Sequence, residues 1–217
     1  MASMELALRV TEIFYSLQGE TNTVGLPTVF IRLTGCPLRC SYCDTSYAFS
    51  GGEKLTFDQI IEQVKSYNTR YVTVTGGEPL AQPACNPLMV NLLDLGYQVS
   101  LETSGALDVS GVDPRVVKVM DLKTPSSGEL TRNFYDNIAY LTTQDQVKFV
   151  IADDADYQWS KQQLLEHGLP ERCQVLFSPA MGSMAPTVLA DKILADQLPV
   201  RFQIQLHKYL WNDAQGK

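Results

Sequence analysis

The sequence is short of positive charge, of histidine and of long apolar runs. It carries 17 lysines and arginines against 24 aspartates and glutamates, a formal net charge of -7, and 2 histidines. This acidic balance disfavours broad adhesion, so we expect no nucleic-acid partner and no membrane partner. No apolar run approaches the roughly 20 residues that cross a bilayer, and the first residues lack the basic head and apolar segment of a signal peptide. These absences predict a cytoplasmic protein.

Cysteine is present in an odd number and is unevenly spread. Three of the five cysteines, Cys36, Cys40 and Cys43, lie in the stretch TGCPLRCSYCDT, whereas Cys85 and Cys173 are isolated. An odd and clustered set is a poor basis for a disulfide framework, and thiols stay reduced in the cytoplasm. Metal binding or redox chemistry is therefore the expected use of the cluster.

The order of apolar segments predicts an α/β fold. A chain of 217 residues with 45% hydrophobic content can fill the core of one domain. Short β-branched runs alternate with longer amphipathic ones, without an internal repeat or a low-complexity linker. The predicted strands cover 28–33, 71–75, 98–103, 116–122, 147–151, 174–178 and 201–206, and the predicted helices cover 56–67, 87–96 and 154–168.

The connections between these strands favour an incomplete (β/α) barrel. Each helix separates strands that should then lie parallel, while the weak pattern from 123 to 146 predicts a short or irregular crossover. Working groups of such barrels lie at the C-terminal ends of the strands. The segments that follow the predicted strands are the cysteine loop, TGGEP, ETSG, DLKTP and SPAM. The sequence therefore predicts one rim that carries all of them.

The three clustered thiols suit an iron–sulfur cluster better than structural zinc. A structural zinc ion takes four protein ligands. The histidines His167 and His207 are distant in sequence from the three cysteines. Folding can still bring Cys85 or Cys173 in as a fourth ligand. A cubane cluster held by three thiolates leaves one iron without a protein ligand, which suits the binding of a substrate or cofactor. With CxxxCxxC after its first parallel strand, the chain resembles the radical S-adenosylmethionine (SAM) superfamily.

The resemblance implies a [4Fe-4S] cluster on Cys36, Cys40 and Cys43 that binds SAM at the open iron and cleaves it to a 5′-deoxyadenosyl radical. Gly77 of TGGEP would lie where the SAM amino group is cradled. The other implied cofactor contacts are Tyr42, Asp44, Glu102, Asp121, Leu122, Lys123 and Ser178. A solvated surface lysine remains the alternative for Lys123, and a satisfied strand-end polar group remains the alternative for Glu102 and Ser178.

Further motifs narrow the resemblance to one family. The segments SLQGE, GLPTVFIRL, CDT, LETSG and QLHKYLW together resemble the 7-carboxy-7-deazaguanine synthase family of the queuosine pathway, a route to tRNA modification. The resemblance implies a lyase that contracts 6-carboxy-5,6,7,8-tetrahydropterin to 7-carboxy-7-deazaguanine with loss of ammonia. The radical would take the hydrogen at C6 and be re-formed. A homodimer and a flavodoxin-like electron donor are implied as well.

The same resemblance implies the substrate contacts Leu17, Gln18, Gly19, Arg32, Thr75 and His207. A pterin offers amide-like edges and a carboxylate, so 17–19 can supply backbone and amide hydrogen bonds while Arg32 pairs with the carboxylate by a two-pronged contact. His207 is expected on the last strand, with Thr75 beside the ligand. The alternatives are a snorkelling Arg32, a hydrogen-bonded core histidine and a plain turn at Gln18 and Gly19.

The last residue of the cysteine stretch, Thr45, is implied to bind Mg²⁺ that bridges the protein and the substrate carboxylate. Mg²⁺ takes oxygen ligands in octahedral geometry and keeps several waters, so one hydroxyl and substrate oxygens suffice without a carboxylate cage. The alternative is a threonine that caps the turn after the cluster loop.

The expected organisation is a single radical SAM domain over 1–217. An N-terminal substrate-binding extension is expected at about 10–27 and a C-terminal substrate-capping segment at about 200–217. Three rival functions remain. A glycyl-radical-enzyme activase has no reason to carry SLQGE and LHKYL, and a zinc or iron–sulfur binding module does not explain TGGEP at a strand end. Another radical SAM enzyme that acts on a different heterocycle remains open.

Overall fold

A computed structural model describes residues 6–212 and 214–217. Within them the strands are β1 (Ala7–Leu17), β2 (Pro27–Leu33), β3 (Glu53–Thr56), β4 (Tyr71–Gly76), β5 (Gln98–Thr103), β6 (Val117–Asp121), β7 (Gln146–Ile151), β8 (Gln174–Pro179) and β9 (Arg201–Phe202). They form one sheet in the order β3-β1-β2-β4-β5-β6-β7-β8-β9. Strands β2 and β4 to β9 are parallel, whereas β1 is antiparallel to both β2 and β3. The sheet does not close, which confirms the incomplete barrel.

The helices are α1 (Phe57–Lys65), α2 (Cys85–Asp94), α3 (Asp154–Glu166), α4 (Pro186–Ala195) and α5 (Leu206–Trp211). Helix α1 begins where the sequence predicts. The Thr56 hydroxyl accepts a hydrogen bond from the backbone N–H of Gln59, and the Gln59 side chain accepts one from the backbone N–H of Thr56. In the described part of the chain, no helix is long and apolar enough to span a membrane.

Successive residues of the central strands point to opposite faces of the sheet. On β4, Val72 and Val74 pack into a core against α1 and α2, whereas Thr73 and Thr75 face the barrel interior. A second core packs β7 and β8 against α3, with edge-to-face contacts of Phe149 and Phe177. Full burial of such a side chain contributes about 1.5–3 kcal/mol to folding. The apolar residues therefore hold the barrel wall, and the interior is left to polar groups.

The irregular crossover predicted over 123–146 is confirmed. It contains the 3-10 helices Pro125–Ser127, Leu130–Arg132 and Tyr135–Tyr140. Three elements, β1, β3 and α4, are not predicted from the sequence. Strand β1 lacks a clean alternation because a register shift lies between Val10 and Glu12.

The predicted strand over 201–206 is wrong beyond its first two residues. Only Arg201 and Phe202 pair with β8, and the backbone N–H of Leu206 instead donates to the carbonyl of Gly19. The chain leaves the sheet to cover the loop after β1, and α5 begins there. His207 therefore lies on a helix rather than on the last strand.

A buried ion pair at the amino ends of β6 and β7 provides a test of the fold. Lys118 and Asp145 form a 3.0 Å contact with side-chain exposures of 3% and 0%. Asp145→Asn leaves the Lys118 ammonium buried without its counter-charge, and we expect it to lower the free energy of unfolding by about 3–5 kcal/mol. Denaturant unfolding measures the change. Asp94→Asn, at the exposed pair with Arg115, should cost less than about 1 kcal/mol; equal losses in both variants would contradict this account.

Candidate active site at the carboxyl ends of the strands

A cleft of about 280 Å³ opens at the carboxyl ends of the parallel strands. The loops after β2, β4, β5 and β6 meet there with the loop after β1 and with α5. The sequence-predicted residues that line it are Leu17, Gln18, Gly19, Arg32, Cys36, Cys40, Tyr42, Cys43, Asp44, Thr45, Thr75, Gly77, Glu102, Asp121, Lys123 and His207. The structure therefore brings most of the predicted site residues to one rim.

Two predicted residues do not line the cleft. Leu122 is 0% exposed and packs in the second core, and Ser178 is 2% exposed on β8. The Leu122 backbone N–H donates to the carbonyl of Lys148. Any contact from these two positions to a ligand remains a prediction.

The three clustered cysteines share one wall of the cleft. Cys36, Cys40 and Cys43 are free and half-buried. The Cys43 backbone N–H donates to the Cys40 carbonyl, and Arg39 donates from Nη1 to the Cys36 carbonyl at 2.8 Å. Burial raises the pKa of the Cys36 and Cys40 thiols. These hydrogen bonds fix the loop backbone, and the Cys36 sulfur accepts one more from the backbone N–H of Leu38 at 3.5 Å.

The TGGEP turn packs directly under the cysteine loop. A Cβ at Gly77 would lie 2.3 Å from the carbonyl oxygen of Gly35 and 2.7 Å from the Cβ of Cys36, so only glycine allows this approach. The buried Glu78 carboxylate accepts hydrogen bonds from the Ser104 backbone N–H at 2.7 Å and from the Thr103 hydroxyl at 3.0 Å. Glu78 thus joins the ends of β4 and β5 and holds the turn in place.

The remaining cysteines and His167 lie elsewhere. Cys85 and Cys173 are buried in the two separate cores, and His167 stacks on Tyr135. His207 lines the cleft, but its ring nitrogen groups with the carboxylate oxygens of Glu20 and Asp44, all within 4.8 Å of one another. Among the described residues, the cysteine wall therefore offers three thiols as its donor set, which fits a cluster with one open iron and does not complete a structural zinc site.

Lys123 is buried rather than a solvated surface lysine. Its ammonium group lies 3.2 Å from Asp121 Oδ2, with 10% of its side chain exposed. Burial lowers the pKa of Lys123, but Asp121 and the Cys40 thiol outweigh it, and the pKa is raised above its usual value. Tyr42 hydrogen-bonds Thr124 on the same side, and burial raises the pKa of Tyr42 to about 12. The lysine is therefore held charged beside the cysteine wall.

Glu102 contacts the residues predicted to bind substrate. Its carboxylate accepts hydrogen bonds from Gln18 Nε2 and from the Thr75 hydroxyl, each at 3.2 Å. The Gln18 oxygen in turn accepts from the backbone N–H of Glu20 at 3.0 Å. Burial and the neighbouring Glu20 raise the pKa of Glu102. Gln18, Thr75 and Glu102 thus form one connected group that lines the same cleft as the cysteines.

Arg32 is fixed by an ion pair and by aromatic rings. Its Nε lies 2.7 Å from Glu12 Oε1, which also accepts the Tyr47 hydroxyl at 2.7 Å. The guanidinium carbon lies 5.5 Å from the ring centroid of Phe14, which stacks on Phe30. Because Nε is occupied by Glu12, the terminal Nη atoms are the groups left to pair with an anion.

A buried lysine, Lys148, contacts two carboxylates in the cleft. Lys148 Nζ lies 2.8 Å from Glu20 Oε2 and 3.5 Å from Asp121 Oδ2. Burial lowers the pKa of Lys148, but Glu20, Asp121 and Glu102 outweigh this effect and raise it well above its usual value. The second Asp121 oxygen, Oδ1, is buried and has no hydrogen-bond partner among the described residues.

Asp44, near the end of the cysteine stretch, contacts Lys208 of α5. The Thr45 hydroxyl donates to Asp44 Oδ1 at 3.0 Å, and Lys208 Nζ lies 2.9 Å from Asp44 Oδ2. Burial raises the pKa of Asp44, but Lys208 and the Thr45 hydroxyl outweigh it and lower the pKa to about 2. Thr45 precedes a 3-10 helix, Ser46–Phe49, yet its side chain makes no capping hydrogen bond. The capping alternative for Thr45 is therefore not observed.

Helix α5 closes the cleft against the loop after β1. A Cβ at Gly19 would lie 2.6 Å from His207 Nδ1, so glycine is needed for this approach. His207 Nε2 lies 3.7 Å from Glu20 Oε1, and the Gln205 amide donates to Glu20 Oε1 at 3.1 Å. His207 thus reaches the cleft from a helix rather than from the last strand, and its contact with a ligand remains a prediction.

Sequence reasoning missed Glu12, Glu20, Tyr47, Lys148 and Lys208 as site residues. For Lys148 a signal was present, because a lysine inside the apolar run VKFVI parallels the arginine inside VFIRL. Glu20 closes the SLQGE motif. Lys208 lies within QLHKYLW, whereas Glu12 and Tyr47 carry no local signal.

The comparisons with known proteins agree with this geometry. Residues 30–121 match the model of the Radical SAM superfamily. The chain is 44% identical over 218 residues to 7-carboxy-7-deazaguanine synthase of Chlorobaculum tepidum, covering 99% of each. It is 41% identical to that of Koribacter versatilis, covering 94% of this chain and 97% of the relative.

A solved structure shares the fold. The crystal structure of QueE from Escherichia coli matches with a TM-score of 0.73 at 20% identity, covering 94% of this chain and 99% of that chain. The three-thiol wall, the glycine turn beneath it and the full-length similarity to curated relatives lead to one conclusion. The chain belongs to the 7-carboxy-7-deazaguanine synthase family of radical SAM enzymes.

Proposed function

We propose that this enzyme contracts the pyrazine ring of 6-carboxy-5,6,7,8-tetrahydropterin to a pyrrole, releasing ammonia and 7-carboxy-7-deazaguanine. The observation that carries the proposal is one cleft that is lined both by the three thiols and by Gln18, Glu102 and Arg32. The latter three offer an amide, a carboxylate and a cation, which are the groups that a carboxylated pterin requires. Assay of the reduced, cluster-loaded protein with SAM and the carboxypterin, followed by mass analysis of the products, tests the reaction.

Two cofactors follow from the family, a [4Fe-4S] cluster and SAM. When bound, they supply a 5′-deoxyadenosyl radical that takes the hydrogen at C6 of the substrate and is then re-formed. Cys36, Cys40 and Cys43 would hold the cluster. Around SAM we place Gly77 beneath the thiols and the remaining predicted contacts Tyr42, Asp44, Asp121, Leu122, Lys123 and Ser178. The unpartnered Oδ1 of Asp121 supports a polar ligand on that side of the cleft.

The group formed by Gln18, Thr75 and Glu102 would bind and orient the pterin. Gln18 and Glu102 present amide and carboxylate groups to the nitrogen-rich edge, with Thr75 holding Glu102 in place. Leu17 and Gly19 border the ring beside His207. We assign Glu102 to the substrate rather than to SAM, because both of its hydrogen-bond donors, Gln18 and Thr75, are predicted substrate contacts.

Arg32 would pair with the substrate carboxylate through its terminal nitrogens, while Glu12 holds the guanidinium in position. A fork donates two parallel hydrogen bonds that a single ammonium group does not reproduce. Glu12 therefore acts on the substrate through Arg32 and is a positioning residue.

We also propose Mg²⁺ at Thr45, between the protein and the substrate carboxylate. The Thr45 hydroxyl is free of a capping role and lies beside the Asp44 carboxylate. Hard oxygen donors of this kind suit Mg²⁺, which keeps several waters and needs few protein ligands.

We propose roles for two segments that border the cleft. The N-terminal extension at about 10–27 would bind substrate and the segment at about 200–217 would cap it, since Gln18, Gly19 and His207 line the cleft. We also propose a homodimer and a flavodoxin-like electron donor, which follow from the family resemblance, and the cytoplasmic location that the sequence pattern predicts. All five cysteines are free thiols, which agrees with a reducing compartment.

The cluster assignment predicts a sharp division among the cysteines. Cys36→Ala, Cys40→Ala and Cys43→Ala should each abolish cluster binding and formation of 5′-deoxyadenosine, because each removes one thiolate ligand. Cys85→Ala and Cys173→Ala remove buried thiols from the two cores and should leave a cluster-bound, active protein. Iron and sulfide content after anaerobic reconstitution measures the outcome. Loss of the cluster in either core variant would refute the three-ligand assignment.

The carboxylate contact predicts a graded series at Arg32. Arg32→Lys keeps the cation but loses the fork, so carboxypterin binding should weaken by about 1–3 kcal/mol. Glu12→Gln keeps an acceptor for Nε but removes its charge, so the KM should rise about threefold to tenfold with little change in kcat. The exposed Glu62→Gln serves as a matched control. A fall in kcat without a change in KM would contradict the positioning role of Glu12.

The Mg²⁺ proposal predicts a response that depends on one oxygen. Thr45→Ala should keep the cluster and SAM binding but lower turnover and blunt its stimulation by Mg²⁺. Thr45→Ser retains the hydroxyl and should keep most of both. Initial rates across a Mg²⁺ titration test this expectation, and the assignment fails if excess chelator leaves the wild-type rate unchanged or if Thr45→Ala responds fully to Mg²⁺.

A further inference from the structure

Tyr47 lies between the cysteine loop and the residues that surround Arg32. It belongs to the 3-10 helix Ser46–Phe49, which begins directly after Thr45. The residue lines the cleft, and its hydroxyl donates to Glu12 Oε1 at 2.7 Å. The proposed reaction assigns no role to this tyrosine.

The segment that carries Tyr47 is packed against the cysteine loop. The backbone N–H of Gly35, just before the first cysteine, donates to the carbonyl of Ala48 at 2.8 Å, and the side chain of Ala48 is buried. The guanidinium carbon of Arg39 lies 4.2 Å from the ring centroid of Phe49. Contacts on both sides of the segment therefore set the position of Tyr47 relative to the cysteines.

Three elements meet at the Arg32 guanidinium group. Arg32 comes from β2, Glu12 from β1 and Tyr47 from the 3-10 helix. Glu12 Oε1 accepts from Arg32 Nε and from the Tyr47 hydroxyl, each at 2.7 Å. The guanidinium carbon lies 5.9 Å from the centroid of the Tyr47 ring, within the range of a cation–π contact. Tyr47 thus contacts Arg32 directly through its ring and indirectly through Glu12.

The Tyr47 hydroxyl restricts how Glu12 pairs with Arg32. A carboxylate beside a guanidinium group often takes two parallel hydrogen bonds, one from each of two nitrogens. Among the described residues, Arg32 donates to Glu12 through Nε alone, and the same carboxylate oxygen accepts from Tyr47. Without the hydroxyl, Glu12 would be free to turn and accept from a terminal nitrogen as well. That nitrogen would then be lost to a ligand.

The hydroxyl also changes the competition between Glu12 and an anionic ligand. The side chains of Arg32 and Glu12 are 16% and 22% exposed, so water screens their charges only in part. A ligand carboxylate at Arg32 competes with Glu12 for one cation. A hydrogen bond from Tyr47 stabilises the negative charge of Glu12 by itself, so Glu12 depends less on Arg32. Affinity for a carboxylate is therefore sensitive to this one hydroxyl.

We propose that Tyr47 is a positioning residue that makes the cleft selective for a carboxylated ligand. It holds Glu12 on Arg32 Nε, so that both terminal nitrogens of Arg32 remain available to the ligand carboxylate. Because Tyr47 lies in the segment that follows the cysteines, the cysteine loop takes part in recognition of the substrate carboxylate. The inference rests on the proposed function, since it takes a carboxypterin as the ligand of Arg32.

Equilibrium binding of two pterins isolates the contribution of the carboxylate. The probes are 6-carboxypterin and pterin, which differ only in that group, titrated by calorimetry into the cluster-containing protein with SAM and without reductant. The wild-type protein should bind 6-carboxypterin at least about tenfold more tightly than pterin, because the carboxylate pairs with Arg32. Tyr47→Phe removes one oxygen and should weaken 6-carboxypterin binding about threefold to tenfold, with pterin binding unchanged.

A double-mutant cycle tests whether Tyr47 acts through Arg32. In the Arg32→Gln background, Tyr47→Phe should not change 6-carboxypterin binding further, because no guanidinium group remains to be positioned. Tyr47→Leu also removes the ring and should reduce the preference for 6-carboxypterin more than Tyr47→Phe, which keeps the test decisive if the phenylalanine variant loses its cluster. Tyr140→Phe alters a tyrosine that is 50% exposed outside the cleft and should bind both pterins as the wild-type protein does.

Three results would overturn the inference while leaving the proposed function intact. One is an undiminished preference for 6-carboxypterin in Tyr47→Phe or Tyr47→Leu. Another is equal weakening of both pterins, which would indicate a general change of the cleft. The third is a further loss of 6-carboxypterin binding when Tyr47→Phe is added to Arg32→Gln. Equal binding of the two pterins by the wild-type protein would refute the carboxylate contact of the proposed function, and the inference with it.

Discussion

The architecture of the cleft depends on one buried cation, Lys148. It rises from the middle of β7 into a barrel interior where Glu20, Asp121 and Glu102 converge. Without a compensating positive charge these carboxylates would repel one another in a poorly solvated space. The ion pair with Glu20 ties the loop after β1 to a strand on the far side of the barrel, 128 residues away in sequence. The ion pair is therefore one of the contacts that fix Glu20 and the loop after β1 against the barrel.

The Lys148–Glu20 ion pair also belongs to a chain of contacts between the cysteine wall and the C-terminal helix. Asp121 is shared between Lys148 and Lys123, and Lys123 stands beside the thiol wall. Glu20 is shared between Lys148 and the C-terminal helix through Gln205. Removal of any one member leaves a buried charge without its partner, which is why such groups act as a unit rather than as separate pairs.

Local sequence predicts the parts of this site that consist of loops and misses those that consist of long-range pairs. The cysteine spacing, TGGEP and Arg32 inside an apolar run each carry a local signal, and the parallel order of the strands places them on one rim. Glu12 reaches Arg32 only because β1 turns back antiparallel against β2, and β1 was not predicted. A charge inside an apolar strand is itself ambiguous, since Lys148 faces the cleft whereas Lys118 pairs with Asp145 at the opposite end. The helical position of His207 depends on close contacts with Gly19, which is distant in sequence, so the residues around His207 do not predict it.

The open sheet has a consequence for the behaviour of the protein in solution. An incomplete barrel leaves two outer strands, and unpaired strand edges are templates for aggregation. Here the outer strands of the described sheet are short, with 4 residues in β3 and 2 residues in β9. Strand β3 covers only the first four residues of β1, so residues 11–17 of β1 keep one edge without a strand partner in the described sheet. The cleft that opens to solvent is therefore accompanied by a strand edge whose backbone N–H and C=O groups can pair with another chain.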